Sequence, residues 1–207
     1  MAVKKEIENI GSKCLYVKAD LAEVDDCRNV IASTEKLFGT VHSLVNVAGF
    51  TERGTIVSTT LDNYEKCFNV NTRAPFLLMQ ESIKIMRRDK VKGTIAHVLS
   101  MAAHSGMPFL TAYSASKGGV VALTLPAARE LAQFGIRVVT VAPGLIGTPM
   151  LHAMPEEVQT SLANQVPFPR RLGDADEFAA LVEHIIDNEL LNGEVIRLDG
   201  AIRMNPT

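Results

Sequence analysis

The sequence predicts an α/β fold with a doubly wound, mostly parallel sheet. Three observations carry that prediction. Short apolar and β-branched runs read as strands buried on both faces, and a stretch with helical periodicity separates each from the next. Strands that alternate with helices pair in parallel through right-handed crossovers. The chain has 207 residues, 47% hydrophobic and 21% charged, which suits one globular domain spanning residues 1–207.

In chain order, residues 2–10 read as a charged helix with no strand before them, and 14–19 (CLYVKA) as a strand. Residues 23–38 are helical, with Val30, Ile31 and Leu37 interleaved among charges, and Gly39 ends them. Residues 43–48 (SLVNVA) form a short strand closed by Gly49, and helical periodicity runs over 61–87. Gly93 precedes a strand at 94–100 (TIAHVLS). The helix at 112–134 ends at Gly135 and contains Pro126, which removes a hydrogen bond and predicts a bend. Residues 136–144 (IRVVTVAPG) form a β-branched strand stopped by Pro143 and Gly144. Helices follow at 155–164 and 174–187, and 193–200 (GEVIRLDG) is the last strand.

Composition excludes several function classes. A net charge of −2, no Trp and 5% aromatics give neither a basic field nor a stacking surface, so nucleic acid is not expected as a partner. No apolar run approaches the roughly 20 residues of a membrane span, and the N-terminus lacks a secretory-type apolar core. Cys14, Cys27 and Cys67 are far apart with no CxxC pair, which argues for a reducing compartment. The five histidines form neither HxxxH nor HExxH, so no metal site is expected.

In open parallel sheets the ligand lies beyond the carboxyl ends of the strands. There the sequence places Asp20, Gly49, Ser100 and the run Ala142, Pro143, Gly144. The sharpest feature is Tyr113-x-x-x-Lys117, whose i, i+4 spacing puts both side chains on one helical face. A fixed ammonium lowers a tyrosine pKa, and moving it about 3 units toward neutrality takes roughly 4 kcal/mol. Ser100, at a strand end, could bond the same substrate oxygen. Taken alone, such a pair also occurs by chance on solvated helices.

The pair is not alone. With LVNVAG (44–49), Asn71 in NVNTRAPF, Ser100 in HVLSMAA, YSASKGG (113–119) and APGLIGTP (142–149), the whole chain resembles the short-chain dehydrogenase/reductase family, whose fold is Rossmann-like. Val47 departs from the family's NNAG element, standing where its second Asn would be. The C-terminal stretch 165–204 is similar to the 17β-hydroxysteroid/3-hydroxyacyl-CoA dehydrogenase subgroup, and the middle section to sugar- and polyol-type members.

The resemblance implies hydride transfer between a nicotinamide dinucleotide (NAD favoured, NADP not excluded) and a small-molecule secondary alcohol or ketone. Tyr113 would be the general acid/base, Lys117 would lower its pKa and hold the nicotinamide ribose, and Ser100 would orient the carbonyl. Asn71 would anchor a relay water, and Asp20 would contact the adenine. Asn46, Ala48 and Gly49 would line the adenosine side, and Pro143, Gly144 and Thr148 the nicotinamide side. A homotetramer in the cytoplasm or the mitochondrial matrix is also implied.

Against that family the glycine-rich TGxxxGxG turn is absent, and no triple-glycine pattern precedes Asp20. The expectation is a domain lacking its first strand–helix–strand unit, roughly 35–45 residues, with a gap between 14–19 and 43–48. Two rivals stay open: a catalytically impaired scaffold subunit, and an NADPH-dependent 3-oxoacyl reductase. Other features read two ways. Arg170 and Arg171 could grip a CoA phosphate or sit in a solvated loop. Met150, Leu151, Met154, Leu162 and Val166 could form an apolar lid or ordinary packing. Gly118 and Gly119 could admit a neighbouring backbone.

Overall fold

The computed structural model of the chain describes residues 2–203, without the side chain of Met150. The expected α/β architecture is present. Helices α1 (Ala2–Asn9) and α2 (Val24–Phe38) precede strand β1 (Ser43–Asn46). Helix α3 (Leu61–Phe68) passes through a π-turn (Asn69–Arg73) into α4 (Ala74–Arg88). Strand β2 (Thr94–Val98), α5 (Ala102–Ser105), α6 (Thr111–Leu131) and β3 (Arg137–Pro143) follow. The chain continues through α7 (Pro149–His152), α8 (Glu156–Asn164) and α9 (Ala175–Asp187) to β4 (Val195–Leu198). The short helices α5 and α7 carry too few residues to show a period in the sequence. Helix α6 runs through Pro126 without a break.

The four strands lie in the order β1-β2-β3-β4, all parallel. Alternation along β3 divides the core. Val138 joins Ile95 of β2 under α2, α4 and α6, while Val139 and Val141 pack against Ile185 of α9 on the other face. Backbone bonds from Leu99 N to Val141 O (2.8 Å) and Met101 N to Pro143 O (3.2 Å) extend the β2–β3 ladder and deliver Ser100 to its end. Helices stop where the sequence says: Gly39 and Gly135 take φ of 83° and 70°, a region other residues rarely adopt.

One expected strand is not formed. Residues 14–19 pair with no strand among the described residues. Their period-two alternation survives, since Leu15, Val17 and Ala19 are half-buried while Tyr16 and Lys18 are exposed. What they lack is a neighbour at ladder distance. A cavity of about 340 Å³ separates Val17, Ala19 and Leu21 from Leu44, Asn46 and Ala48 at the β1 edge.

Polar anchors hold the far end of the sheet. The Arg137 guanidinium donates to the carbonyls of Ile185, Ile186 and Leu191, covering the C-terminal end of α9 where cations are favoured. At the other end of α9, Asp174 and Glu177 form a capping box. Burial makes a sharp forecast for neighbouring residues. Ile185 is 0% exposed and Ile186 37% exposed. Ile185→Ala should cost about 3 kcal/mol in urea unfolding, and Ile186→Ala under about 0.5 kcal/mol.

Candidate active site

The site is built on the carboxyl ends of β1 and β2 and the first two turns of α6. Asn71 sits in the π-turn between α3 and α4 and is 0% exposed. Such single-turn widenings recur at functional positions. Its Oδ1 accepts from Phe50 N (2.8 Å), and its Nδ2 donates to Phe50 O (2.8 Å) and Ser116 Oγ (2.9 Å). Both ends of the carboxamide are therefore committed, so any relay water expected of Asn71 is left to its backbone. Ser116 Oγ in turn donates to the Tyr113 carbonyl (2.7 Å), and Thr72 Oγ1 donates to Ser116 O (2.6 Å). This lattice locks α6 onto the π-turn.

Lys117 is 3% exposed, and its Nζ donates to Val98 O (2.8 Å). Burial holds its pKa down at about 8. The Ser100 hydroxyl lies beside that of Tyr113 and accepts from Ala102 N (3.2 Å). Burial pushes the Tyr113 hydroxyl above the ordinary tyrosine range; Ser100 pulls the other way, and the buried Cys67 adds to the rise. The expected lowering by Lys117 is therefore not realised in the protein by itself. The tyrosine is desolvated, and the ammonium is turned to the Val98 carbonyl.

The structure brings Gly49 to the same place. A Cβ at Gly49 would lie 3.4 Å from both Asn71 Oδ1 and Lys117 Nζ. Val47, Ala48 and Gly49 are exposed beyond β1, while Asn46 is 7% exposed with its carboxamide against His97. Any contact from Asn46 to a ligand thus falls to its backbone. Gly49 thus lays bare backbone beside the buried Lys117 ammonium.

Other expected contacts are spread more widely. Asp20 is exposed at the end of the 14–19 segment, where its carboxylate accepts from Ala22 N (2.9 Å) ahead of α2. Pro143 ends β3, and its carbonyl accepts from Met101 N. Gly144 has a packing reason of its own, since a Cβ there would meet Asp199 Cβ at 2.7 Å. Thr148 precedes α7, and its side chain makes no cap bond.

Several sequence readings resolve toward packing. Arg171 holds Glu177 through two bonds, 2.8 and 2.7 Å, in an exposed ion pair. Val166 is 5% exposed against Met101 and Ile202, which places it in the core and not on a lid. Leu151 and Leu162 are half-buried, Met154 is exposed, and the Met150 side chain lies outside the described residues. A Cβ at Gly119 would meet Thr72 Cγ2 at 3.0 Å, whereas one at Gly118 would face open space.

Sequence reasoning missed Ser116, Cys67 and His97. Ser116 could have been found as the small polar residue three positions beyond Tyr113, on the same helical face. Cys67 and His97 reach the site only through the fold. His97 is 1% exposed, and burial together with the Lys117 ammonium holds its pKa at about 4, against 6.5 for a free histidine.

The sign of that shift sets the pH dependence. Below pH 6.5 the unfolded chain takes up a proton at His97, and the folded chain does not until about pH 4. Stability present above pH 6.5 is therefore lost as pH falls through that window, with a slope approaching 1.4 kcal/mol per unit. Urea midpoints between pH 7 and 4.5 should fall more steeply for wild type than for His97→Asn. Parallel curves would refute the assignment.

Comparison with known proteins identifies the family. A family profile described as short chain dehydrogenase matches residues 1–159. The 3-hydroxyacyl-CoA dehydrogenase type-2 of Homo sapiens is 42% identical, over 97% of this chain and 81% of its own length. The protein of the same name from Drosophila melanogaster is 41% identical, over 96% of this chain and 82% of its own. A 3-oxoacyl-(acyl-carrier-protein) reductase of Thermotoga maritima is 31% identical, over 96% of this chain and 80% of its own. With a buried Lys117, a desolvated Tyr113 and Ser100 on one sheet edge, the chain belongs to the short-chain dehydrogenase family of NAD(P)-dependent oxidoreductases.

Proposed function

We propose that this protein interconverts a secondary alcohol and its ketone, acting on 3-hydroxyacyl-CoA thioesters or hydroxysteroids with NAD as cofactor. The observation that carries the reaction type is the Tyr113 hydroxyl beside Ser100, one helical turn along α6 from the buried Lys117. The printed names of the most similar relatives support the acyl-CoA class.

The dinucleotide, when bound, gives or takes the hydride; the side chains handle the oxygen and its proton. Ser100 Oγ donates a hydrogen bond to the substrate oxygen. In reduction, Tyr113 Oη gives its proton to that oxygen as the carbon gains the hydride. In oxidation the phenolate takes the hydroxyl proton as the carbon loses it. Burial favours the protonated phenol, so the oxidative direction depends on positive charge reaching Tyr113. Lys117, its Nζ held by Val98 O, would supply part of that charge, and the oxidised nicotinamide the rest. Asn71 and Ser116 keep α6 in register beneath the hydroxyl.

Tyr113→Phe should lower turnover by about a thousandfold and leave the NADH dissociation constant within about twofold. Retained turnover would refute the role of Tyr113. Ser116→Ala leaves Asn71 Nδ2 with Phe50 O alone, and should lower kcat about tenfold with KM little changed.

A second reading, NADPH-dependent 3-oxoacyl reduction, draws on the Thermotoga maritima relative. The ratio of kcat/KM with NADH to that with NADPH decides between them. A non-catalytic scaffold makes the opposite forecast: no binding at millimolar dinucleotide.

We place the chain in a homotetramer, supported by exposed Tyr64, Phe76 and Leu125 on α3, α4 and α6. Light scattering of the purified protein tests it. The free cysteines support a reducing compartment, cytoplasm or mitochondrial matrix.

A further inference from the structure

The reaction proposed above makes no use of His97. It lies inside the sheet, with Asn46 beside it on β1 and Thr140 on β3. The Thr140 hydroxyl is already paired with Thr124 Oγ1 at 2.7 Å. The imidazole turns instead to Asn46, Nδ1 to Nδ2 at 3.1 Å, and its Nε2 is buried with no partner among the described residues.

Desolvation and the nearby Lys117 ammonium keep the ring uncharged. A neutral imidazole carries one N–H. With Asn46 Nδ2 donating to Nδ1, that proton sits on Nε2. A leucine would fill similar space without an orphaned nitrogen. What a leucine lacks is the acceptor that faces Asn46.

The place of that acceptor is telling. Asn46 ends β1 and opens the 46–49 segment, and three residues on, Gly49 leaves only 3.4 Å between a notional Cβ and Lys117 Nζ. On the other side, Val98 directly follows His97 and its carbonyl holds Lys117 Nζ at 2.8 Å. His97 therefore ties the end of β1 to the part of β2 that anchors the ammonium and presents Ser100.

We infer that His97 is a positioning residue, whose bond to the Asn46 carboxamide holds the 46–49 segment in the shape that receives the dinucleotide. The inference rests on the dinucleotide cofactor proposed above and on the contacts that the family resemblance implies for Asn46, Ala48 and Gly49.

The test compares His97→Leu with His97→Asn, whose carboxamide can again face Asn46. NADH affinity is read by fluorescence titration, and the Asn46 side-chain amide by nitrogen-15 NMR of the unliganded protein. His97→Leu should weaken NADH binding about tenfold and shift the Asn46 amide signals toward those of a free carboxamide. His97→Asn should restore both to near wild type. Wild-type affinity in His97→Leu, or equal losses in both variants, overturns the inference even where melting temperatures fall. If His97→Leu does not fold, wild type and His97→Asn carry the test: an Asn46 amide that exchanges freely in wild type overturns it. If wild type binds no NADH, the proposed function fails, and the Asn46 amide still reports separately whether His97 holds it.

Discussion

Helix α6 is pinned to the sheet by buried polar groups, and the site depends on that pinning. Lys117 reaches Val98 O, Thr124 reaches Thr140, and Ser116 joins Asn71 to the Tyr113 carbonyl. Apolar contacts alone tolerate small slides of a helix over a sheet. Buried hydrogen bonds do not, because a slide leaves donors unpaired. One residue of rotation would carry Tyr113 roughly 100° around the helix, away from Ser100. The tyrosine is placed by the same bonds that stabilise the α6 packing, so site and core are one construction.

Desolvation sets the electrical character of that construction. Burial opposes the charged form at Lys117, His97 and Tyr113 alike. His97 responds by staying neutral and acting as a hydrogen-bonding group. Lys117 at about pKa 8 is still mostly charged at pH 7, held by a carbonyl and not by a carboxylate. Among the described residues no anion pairs with it, so its field is available to Tyr113 and to a ligand. A carboxylate partner would have stabilised the ammonium more and left less of that field in the site.

Residues and their spacing were enough for much of this. Alternating strand and helix periods identified the parallel sheet, and Gly39 and Gly135 marked helix ends correctly because each sits where only a left-handed residue fits. Tyr113 and Lys117 were legible from i, i+4 spacing, and Ser100 from its place after a strand. Residues 14–19 were misread for a physical reason. Their alternation records which side faces the core, but a strand also needs a partner, and pairing is not a local property. Arg171 was ambiguous because a charge in a loop declares its sign and not its partner.

The sequence by itself determined most element types and the family, and it nominated Tyr113, Lys117 and Ser100 as reactive side chains, because these follow from local periodicity and from motif spacing. The tertiary structure alone decided the electrostatics and the second layer of the site. Desolvation of Tyr113, the turn of Lys117 toward Val98, the bridging role of Ser116 and the pairing of His97 with Asn46 all depend on what is packed nearby. His97 and Asn46 are 51 positions apart in the chain. Only the ladder between β1 and β2 makes them neighbours.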